Sequence, residues 1–351
     1  MSAAARVSLG TAIAPARATE PDNAPVWDGR RAGHYEVWYL TFNHAPSRAG
    51  FWIRYTLESP RAGVPYAQVW FAAFDGERPE RSVALNRRYA VDALALQAAP
   101  FEVRIGPAVL RHDEARGALE GGGHAVRWDL AWEPSPATHR HLPDIVYRTD
   151  FADTRVLSPG PRIALSGSVE VDGRRFDLRA EPGGQTHLWG RKHAHAWAWG
   201  RCSAFTDGAE AFVEALTVRV RRAGLVLPPV TFLAVHLDGA ELRSTSFRAA
   251  LRSRGRFGTG RYAFTAESPD ARVAGEFTCA PERMVQAEYA DPDGARCFCA
   301  NTEIGDLTLT VLRRAAGAAW EERRLVAQGT AHFEVAGRER DAAVVRRHLP
   351  L

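Results

Sequence analysis

Asp-Gly pairs between apolar runs recur along this 351-residue chain and are the feature that most constrains its fold. The pairs begin at Asp75, Asp172, Asp207, Asp238 and Asp293. A two-residue hairpin turn of type I′ needs positive φ at both central positions, which Asp and Gly adopt more readily than most residues. Helical periodicity of apolar residues is nearly absent between these turns. The chain is therefore predicted to be all-β, with antiparallel hairpins that form a sandwich or a barrel.

The runs between the turns have the composition of β-strands. The segments 34–43, 50–57 and 65–74 are rich in aromatic and β-branched residues, which favour strands. In the segment 124–133, Val126, Trp128, Leu130 and Trp132 alternate with mostly charged residues. This period of two predicts a strand with one buried and one solvated face.

A comparison of the chain with itself indicates two halves. With an offset of 161 residues, Trp38 aligns with Trp199 and Phe51 aligns with Phe212. Either duplication or chance can explain so short a match, and duplication predicts one β-barrel in each half. We therefore expect a loose tail at residues 1–25, a first barrel at 26–180 and a second barrel at 181–351.

Composition limits the partners and the compartment. The net charge is +4 and the pI is about 9.0, but Arg and acidic residues alternate along most segments. This is typical of a solvated surface rather than a nucleic-acid groove, so no nucleic-acid partner is expected. The four cysteines lack CxxC spacing and are expected to be buried free thiols in a reducing compartment. No secretory signal or membrane-spanning run is evident, so the expected location is the cytoplasm.

The stretch 185–205 concentrates aromatic and titratable side chains, namely Trp189, Trp197, Trp199, His187, His193 and His195. Buried indole N–H groups need a partner, so this stretch is expected along a cavity wall or at a domain junction. His193 and His195 would share one face of a strand, as metal ligands can, but the sequence names no further ligand. Satisfied or exposed histidines, and no metal, are therefore expected. No P-loop, GxGxxG or GxSxG motif predicts a nucleotide cofactor or a nucleophile.

Three glutamates stand among apolar and aromatic residues: Glu36, Glu214 and Glu303. Burial raises the pKa of a carboxyl group, which can then remain a protonated acid near neutral pH. Such an acid can protonate an alkene, and aromatic faces stabilise the cation that forms. The alternative is a buried glutamate paired with one of the many arginines, or a glutamate at a barrel rim.

The residues of the central stretch resemble a known family. The run SGSVEVDGRRFDL is followed by Trp189-Gly190 and then by HAWAWGRCSAF, which contains Trp197, Trp199, Cys202 and Phe205. This order is similar to the corresponding region of tocopherol cyclases. The early Glu36-x-Trp38-Tyr39 also resembles the first strand of the wider two-domain lipocalin-like group, which includes carotenoid 1,2-hydratase, AttH-like proteins and lipocalin-like Diels–Alderases.

The resemblance implies two lipocalin-like β-barrels in tandem and a cavity for a long apolar molecule. It also implies chemistry without a metal or nucleotide, in which an acid protonates a double bond and water or an internal hydroxyl attacks the carbocation. The leading hypothesis is a cyclase or hydratase of an isoprenoid-like substrate. The rival hypothesis is a non-catalytic carrier of lipids or pigments with the same fold.

Within the leading hypothesis, Glu214 or Glu303 is the acid and His187 is a proton relay or hydrogen-bond donor. The expected substrate-binding residues are Trp189, Trp197, Trp199, Tyr39, Trp38 and Glu36. The expected partner is a hydrophobic small molecule, and peripheral contact with a membrane is one route to it. The sequence leaves the oligomeric state open.

Overall fold

Two antiparallel β-sheets account for most of the chain in the computed structural model, which describes residues 19–314 and 319–351. This confirms the predicted all-β class. Each sheet curls around its own core of buried apolar side chains, so the molecule consists of two β-barrels in tandem.

The strands of the first half are, in chain order, β1 (His34–His44), β2 (Ala49–Ser59), β3 (Tyr66–Asp75), β4 (Val83–Ala90), β5 (Leu94–Gln97), β6 (Glu102–Ile105), β7 (Ala108–Arg111), β8 (Glu114–Gly121), β9 (His124–Trp132), β10 (His139–Arg140), β11 (Thr154–Val171) and β12 (Arg174–Gly190). Their sheet has the order β4-β3-β2-β1-β12-β11-β9-β8-β7-β6-β5, and β10 pairs with β11.

The strands of the second half are β13 (Ala196–Cys202), β14 (Ala211–Arg219), β15 (Arg221–Arg222), β16 (Leu225–Val226), β17 (Val230–Leu237), β18 (Ala240–Ser244), β19 (Ser253–Gly258), β20 (Arg261–Glu267), β21 (Ala271–Thr278), β22 (Val285–Ala290), β23 (Arg296–Arg313), β24 (Glu321–Gly337) and β25 (Leu349–Pro350). The second sheet has the order β18-β17-β14-β13-β24-β23-β21-β20-β19, and β22 pairs with β23. Strands β15 and β16 form a separate hairpin, and β25 returns to pair with β4 of the first sheet.

Helices are short: α1 spans Asp144–Arg148, α2 spans Phe247–Ala250, and 3₁₀ turns lie at Glu20–Asn23, Ala45–Ser47, Pro79–Arg81, Val91–Ala93 and Pro281–Arg283. Within residues 19–314 and 319–351, no helix is long and apolar enough to cross a membrane. All four cysteines are buried and free, as expected.

The two sheets share one strand order, with β13 flanked by β14 and β24 as β1 is flanked by β2 and β12. The 161-residue alignment nevertheless puts side chains on opposite faces. Trp38 lies in the core of the first barrel, whereas Trp199 lies outside the core of the second barrel. Because successive strand residues point to opposite faces, the alignment is wrong by an odd number of positions although the repeated topology is present.

The surface between the barrels, here called the junction, has its own apolar core. Strands β1 and β2 are buried along nearly their whole length because one face lines the first barrel and the other packs on the second. Tyr35, Tyr39 and Trp52 project from the first barrel, and Trp197 and Trp199 project from the second. This double burial explains why these strands lack the apolar–polar alternation that β9 shows, where the predicted buried face is confirmed.

The expected boundary between residues 180 and 181 falls inside β12, which continues to Gly190 in the first sheet. The chain enters the second sheet only at Ala196. Residues 1–18 of the expected loose tail lie outside the described part. The expectation needs correction at residues 19–25, which include a buried residue. Asn23 is buried, and its carbonyl accepts a 2.9 Å hydrogen bond from Trp38 Nε1 inside the first barrel.

Candidate functional site

Cross-strand pairing builds a row of charged and titratable side chains on the second barrel. Arg201 of β13 pairs with Glu214 of β14 on one side and with His332 of β24 on the other. A β-bulge in β23 between Thr302 and Gly305 brings Glu303 to His332, with Glu303 Oε2 3.2 Å from His332 Nδ1. These four residues, here called the junction row, face the first barrel. Neighbouring strands lie about 4.8 Å apart, so the row extends over about 14 Å.

The first barrel contacts the junction row with outward-facing residues of β1. Arg201 Nη1 donates to Thr41 Oγ1 at 3.2 Å, and His332 Nε2 and Asn43 Oδ1 are 2.7 Å apart. Tyr39 meets Trp199 edge to face, with ring centroids 5.9 Å apart. The alternation along β1 therefore presents three successive outward side chains to the row.

Glu214 is a buried carboxylate with several donors on one oxygen. Its Oε1 accepts from His141 Nε2 at 2.6 Å, from Trp199 Nε1 at 2.8 Å and from Ser158 Oγ at 3.3 Å. Burial alone would raise the pKa, but the charge and hydrogen bond of His141 outweigh it and hold the pKa of Glu214 well below its usual range. Glu214 is therefore ionised at neutral pH.

Glu303 is equally buried but differs in its surroundings. Burial, together with the nearby charge of Glu334, raises the pKa of Glu303 well above its usual value. Its enclosed Oε2 lies 3.2 Å from His332 Nδ1, but this contact is not aligned as a hydrogen bond, and no other described residue supplies a partner. Burial also lowers the pKa of His332 well below its usual range, so the neighbouring imidazole is neutral. These surroundings favour the protonated form of Glu303.

A second group of predicted residues lies at one end of the first barrel. This rim cluster contains Glu36, His34, His187, Trp38 and Trp189. The His187 ring lies between the two indoles, with centroids 5.0 Å from Trp38 and 4.7 Å from Trp189. His187 Nε2 donates to Glu36 Oε1 at 2.9 Å, and its Nδ1 lies 2.8 Å from the carbonyl oxygen of Asp22.

Glu36 has donors on both oxygens. Oε1 also accepts from the Val26 backbone N–H at 2.7 Å, and Oε2 accepts from the Trp27 N–H at 2.9 Å and from His34 Nε2 at 3.2 Å. These bonds outweigh burial and lower the pKa of Glu36 to about 2. The carboxylate thus fastens the chain around residues 22–27 to the end of the barrel.

The predicted site residues therefore divide between two places rather than lining one pocket. Glu36, Trp38, His187 and Trp189 belong to the rim cluster, whereas Tyr39, Trp197, Trp199, Glu214 and Glu303 belong to the junction. The reason is local: the chain leaves the first sheet at Gly190, so the tryptophans before and after that point stand on different barrels. Trp197 donates to Glu334 Oε1 at 2.6 Å.

A cleft of about 300 Å³ lies beside the rim cluster. Its wall includes His34, Trp189, Tyr147, Arg31 and Arg148, but neither Glu36 nor His187. In contrast, Arg201, Glu303 and His332 at the junction are each at most 4% exposed. These three side chains of the junction row are therefore closed to solvent.

The covering segment is the connection at residues 133–153, between β9 and β11. It supplies His139 and His141, which lie beside Glu214. His141 Nδ1 lies 3.3 Å from the carbonyl oxygen of Val156, so both ring nitrogens face acceptors. Burial, together with the charge of His141, lowers the pKa of His139 to about 3.

Among residues 19–314 and 319–351, one group of three side chains has metal-ligand spacing: His139, His141 and Glu214, with donor atoms within 4.8 Å of one another. Here Arg243 lies within hydrogen-bond reach of His139 Nδ1, at 3.3 Å, and His141 bonds directly to Glu214. Of the three, His141 and Glu214 are hydrogen-bonded to each other, and the His139 ring packs against that of His141 with centroids 4.5 Å apart. His193, considered as a ligand from the sequence, lies 2.8 Å from Asp291 through its Nδ1.

Sequence reasoning missed Arg201, His332, His139 and His141. Arg201 stood inside the aromatic stretch and could have been noticed as a charge between apolar residues. The others come from positions far away in the chain, and strand pairing alone brings them to Glu214 and Glu303.

Comparison with known proteins gives one family match and two related sequences. A model of the tocopherol cyclase-like family matches residues 96–338, more than half of the chain. Two sequences from strains of Mycobacterium tuberculosis, both uncharacterized proteins, are each 26% identical to this chain over 330 residues, which is 93% of this chain and 93% of each relative.

Solved structures share the fold at low identity. A candidate AttH protein of Nitrosomonas europaea has a TM-score of 0.53 at 14% identity, covering 96% of this chain and 100% of that protein. Kievitone hydratase from Nectria haematococca has a TM-score of 0.52 at 10% identity, covering 86% of this chain and 88% of that protein. The protein CghA with Sch210972 has a TM-score of 0.51 at 10% identity, covering 87% and 88%. The predicted pair of lipocalin-like barrels is thereby confirmed.

Proposed function

This chain belongs to the tocopherol cyclase-like family, and from that premise we propose that it is a cyclase or hydratase of a hydrophobic, isoprenoid-like substrate. The reaction starts when an acid protonates a carbon–carbon double bond. It ends when water or a hydroxyl of the same molecule attacks the carbocation. A hydratase and a cyclase differ only in the source of that oxygen.

One observation carries the proposal. Two buried carboxyl groups stand in one row with their pKa values displaced in opposite directions, Glu303 upward and Glu214 downward. Such a pair supplies an acid and an anion at the two ends of one row at the same pH. Arg201 stands between them in the strand order.

The roles follow from the protonation states. The O–H bond of Glu303 breaks and its proton adds to one alkene carbon, which leaves the positive charge on the neighbouring carbon. The Glu214 carboxylate and the faces of Tyr39 and Trp199 stabilise that charge. The attacking hydroxyl loses its proton to Glu214. Once product has left, Glu214 releases that proton to solvent and Glu303 takes up a proton from solvent.

The test compares three buried glutamates in a turnover assay with prenylated quinols and acyclic carotenoids. Replacing the acid, Glu303→Gln, should lower kcat by roughly 10²–10⁴-fold, the usual contribution of general acid catalysis. Glu214→Gln should lower kcat by a similar factor because it removes the charge opposite the cation. Each effect should exceed any change in KM.

Glu58 provides the matched control. Burial raises the pKa of Glu58 well above its usual value too, but this residue of β2 lies outside the junction row. Glu58→Gln should leave kcat within about threefold of the wild type. Full activity in both Glu303→Gln and Glu214→Gln, or a loss confined to Glu58→Gln, would overturn the assignment.

The same protein also tests the carrier hypothesis. After incubation with a cell lipid extract, an enzyme changes a bound molecule by the mass of water or changes its retention at constant mass. Mass spectrometry that recovers only unchanged ligand would favour a carrier.

A further inference from the structure

Exposed apolar side chains are concentrated in one part of the surface. Of the large apolar residues exposed among residues 19–314 and 319–351, most fall in three short stretches: Ile145, Phe151, Leu225, Val226, Leu227, Phe247 and Leu251. Leu251 is 86% exposed, Leu225 70% and Phe151 65%. Single exposed apolar residues need no explanation, but a contiguous group indicates an interaction surface.

The three stretches touch one another although they come from both barrels. Phe151 of the covering segment meets Phe247 of α2 edge to face, with ring centroids 6.3 Å apart. Arg222 Nη2 donates to the Phe151 carbonyl oxygen at 3.0 Å, and Arg222 pairs with Leu225 in the β15–β16 hairpin. The group therefore forms one surface, here called the apolar face.

Charge around the apolar face points to the kind of partner. Residues 144–153, 219–227 and 246–254 contain the arginines Arg148, Arg219, Arg221, Arg222, Arg248, Arg252 and Arg254 against the acids Asp144, Asp150 and Asp153. All seven arginines are exposed. Apolar side chains that can enter the acyl boundary, surrounded by cations that attract anionic headgroups, match an anionic lipid bilayer.

We propose that the apolar face docks the protein on membranes that contain anionic lipid, where a hydrophobic substrate is dissolved. The covering segment links the two functions, and in this respect the inference rests on the proposed function. At one end it places His139 and His141 over Glu214, and at the other it exposes Ile145 and Phe151. Insertion of Phe151 into lipid would pull on the segment that closes the junction row.

Vesicle flotation without substrate tests the docking. The protein should float with vesicles of phosphatidylcholine and phosphatidylglycerol, and much less with phosphatidylcholine alone. The double variant F151D/L251D should weaken binding at least ~10-fold, because two charges replace buried apolar area. R248Q/R252Q should weaken it by roughly fivefold per arginine at low salt, with a smaller effect at high salt.

Matched variants on other surfaces serve as controls. Val64 and Val345 are 73% and 74% exposed, and V64D/V345D should bind vesicles like the wild type. R127Q/R162Q changes two exposed arginines outside the apolar face and should also leave binding unchanged. If F151D/L251D does not fold, as judged by its melting temperature, the arginine pair still decides the question.

Three results would overturn the proposal: no flotation with anionic vesicles, equal flotation with neutral ones, or equal loss in the V64D/V345D control. A concentration-dependent dimer that F151D/L251D abolishes, without vesicle binding, would assign the face to a second copy instead. Turnover of detergent-dissolved substrate separates the two proposals. F151D/L251D should retain it and lose turnover only of vesicle-embedded substrate, whereas inactivity of the wild type in detergent would count against the proposed function alone.

Discussion

Glu36 and Glu303 are buried to the same degree, at 0% and 2% exposure, yet their pKa values are displaced in opposite directions. Four donors, two of them backbone N–H groups, surround the Glu36 carboxylate. The Glu303 side chain has a neutral imidazole beside it and one oxygen without a hydrogen bond. Burial alone therefore does not decide whether a carboxyl group is charged. At these two glutamates the difference is the number of hydrogen-bond donors fixed around the carboxyl group.

The difference separates a carboxylate that anchors the chain from a carboxyl group proposed to transfer a proton. Glu36 holds residues 22–27 on the end of the first barrel, and its oxygens have no capacity left for a substrate. Glu303 keeps its proton at a cost in free energy, and the adjoining surface is the junction of two barrels. We therefore assign the chemistry to the junction and the anchoring role to the rim cluster.

The largest expected difference is in kcat, between variants of the histidine beside Glu214 and the histidine beside Glu36. His141→Gln removes the 2.6 Å hydrogen-bond partner of the Glu214 carboxylate and should lower kcat by roughly 10²-fold, as loss of electrostatic stabilisation does. His187→Gln, the equivalent change beside Glu36, should leave kcat within about threefold and lower the melting temperature. Steady-state kinetics on both purified variants provides the measurement. If His187→Gln lost the greater part of its kcat while remaining folded, the predicted proton relay at His187 would gain support over the anchoring role.

A smaller contrast is expected in stability. Glu36→Gln should reduce the free energy of unfolding at pH 7 by about 3 kcal/mol, since a pKa of about 2 in the folded state stabilises the fold by that order. Glu303→Gln should increase it by about 1–3 kcal/mol, because the wild-type group must stay protonated when folded. Urea titrations of the three proteins would measure both changes.

The dependence of these differences on pH has opposite sign. The pKa of Glu36 is depressed, so its contribution is present above its unfolded value and is lost as pH falls from about 4.5 to 2. The pKa of Glu303 is raised, so the wild type is not penalised below pH ~4.5 and becomes progressively less stable than Glu303→Gln as pH rises. Parallel curves for the two variants would contradict the account.

Much of the fold was predictable because turns and strands leave local signals. At Asp172-Gly173 and Asp238-Gly239 both residues have positive φ, as the hairpin interpretation required. The alternation in β9 gave the buried face correctly. Strands β1 and β2 gave no such signal, because a strand that is buried on both faces carries apolar residues throughout, and this hid the register of the repeat.

The site was predictable only in part, for a physical reason. Glu214 and Glu303 could be recognised as charges within apolar strands, but sequence cannot count the donors around a carboxylate. Most of those donors lie outside the strand that carries the carboxylate: His141 comes from the covering segment, His187 from β12, and two backbone N–H groups from the chain before β1. The sequence predicted Glu303 as a candidate acid and Glu36 as a substrate-binding residue, but only the folded structure shows how many donors surround each carboxyl group.

The protonation state of Glu303 at neutral pH is the central claim, and difference infrared spectroscopy measures it directly. The spectrum of the wild type minus that of Glu303→Gln at pH 7 should contain the carbonyl stretch of a protonated, weakly hydrogen-bonded carboxylic acid. The corresponding difference for Glu36→Gln should contain carboxylate bands instead. Carboxylate bands in the Glu303 difference would show that this group is ionised, and the acid would have to be sought elsewhere.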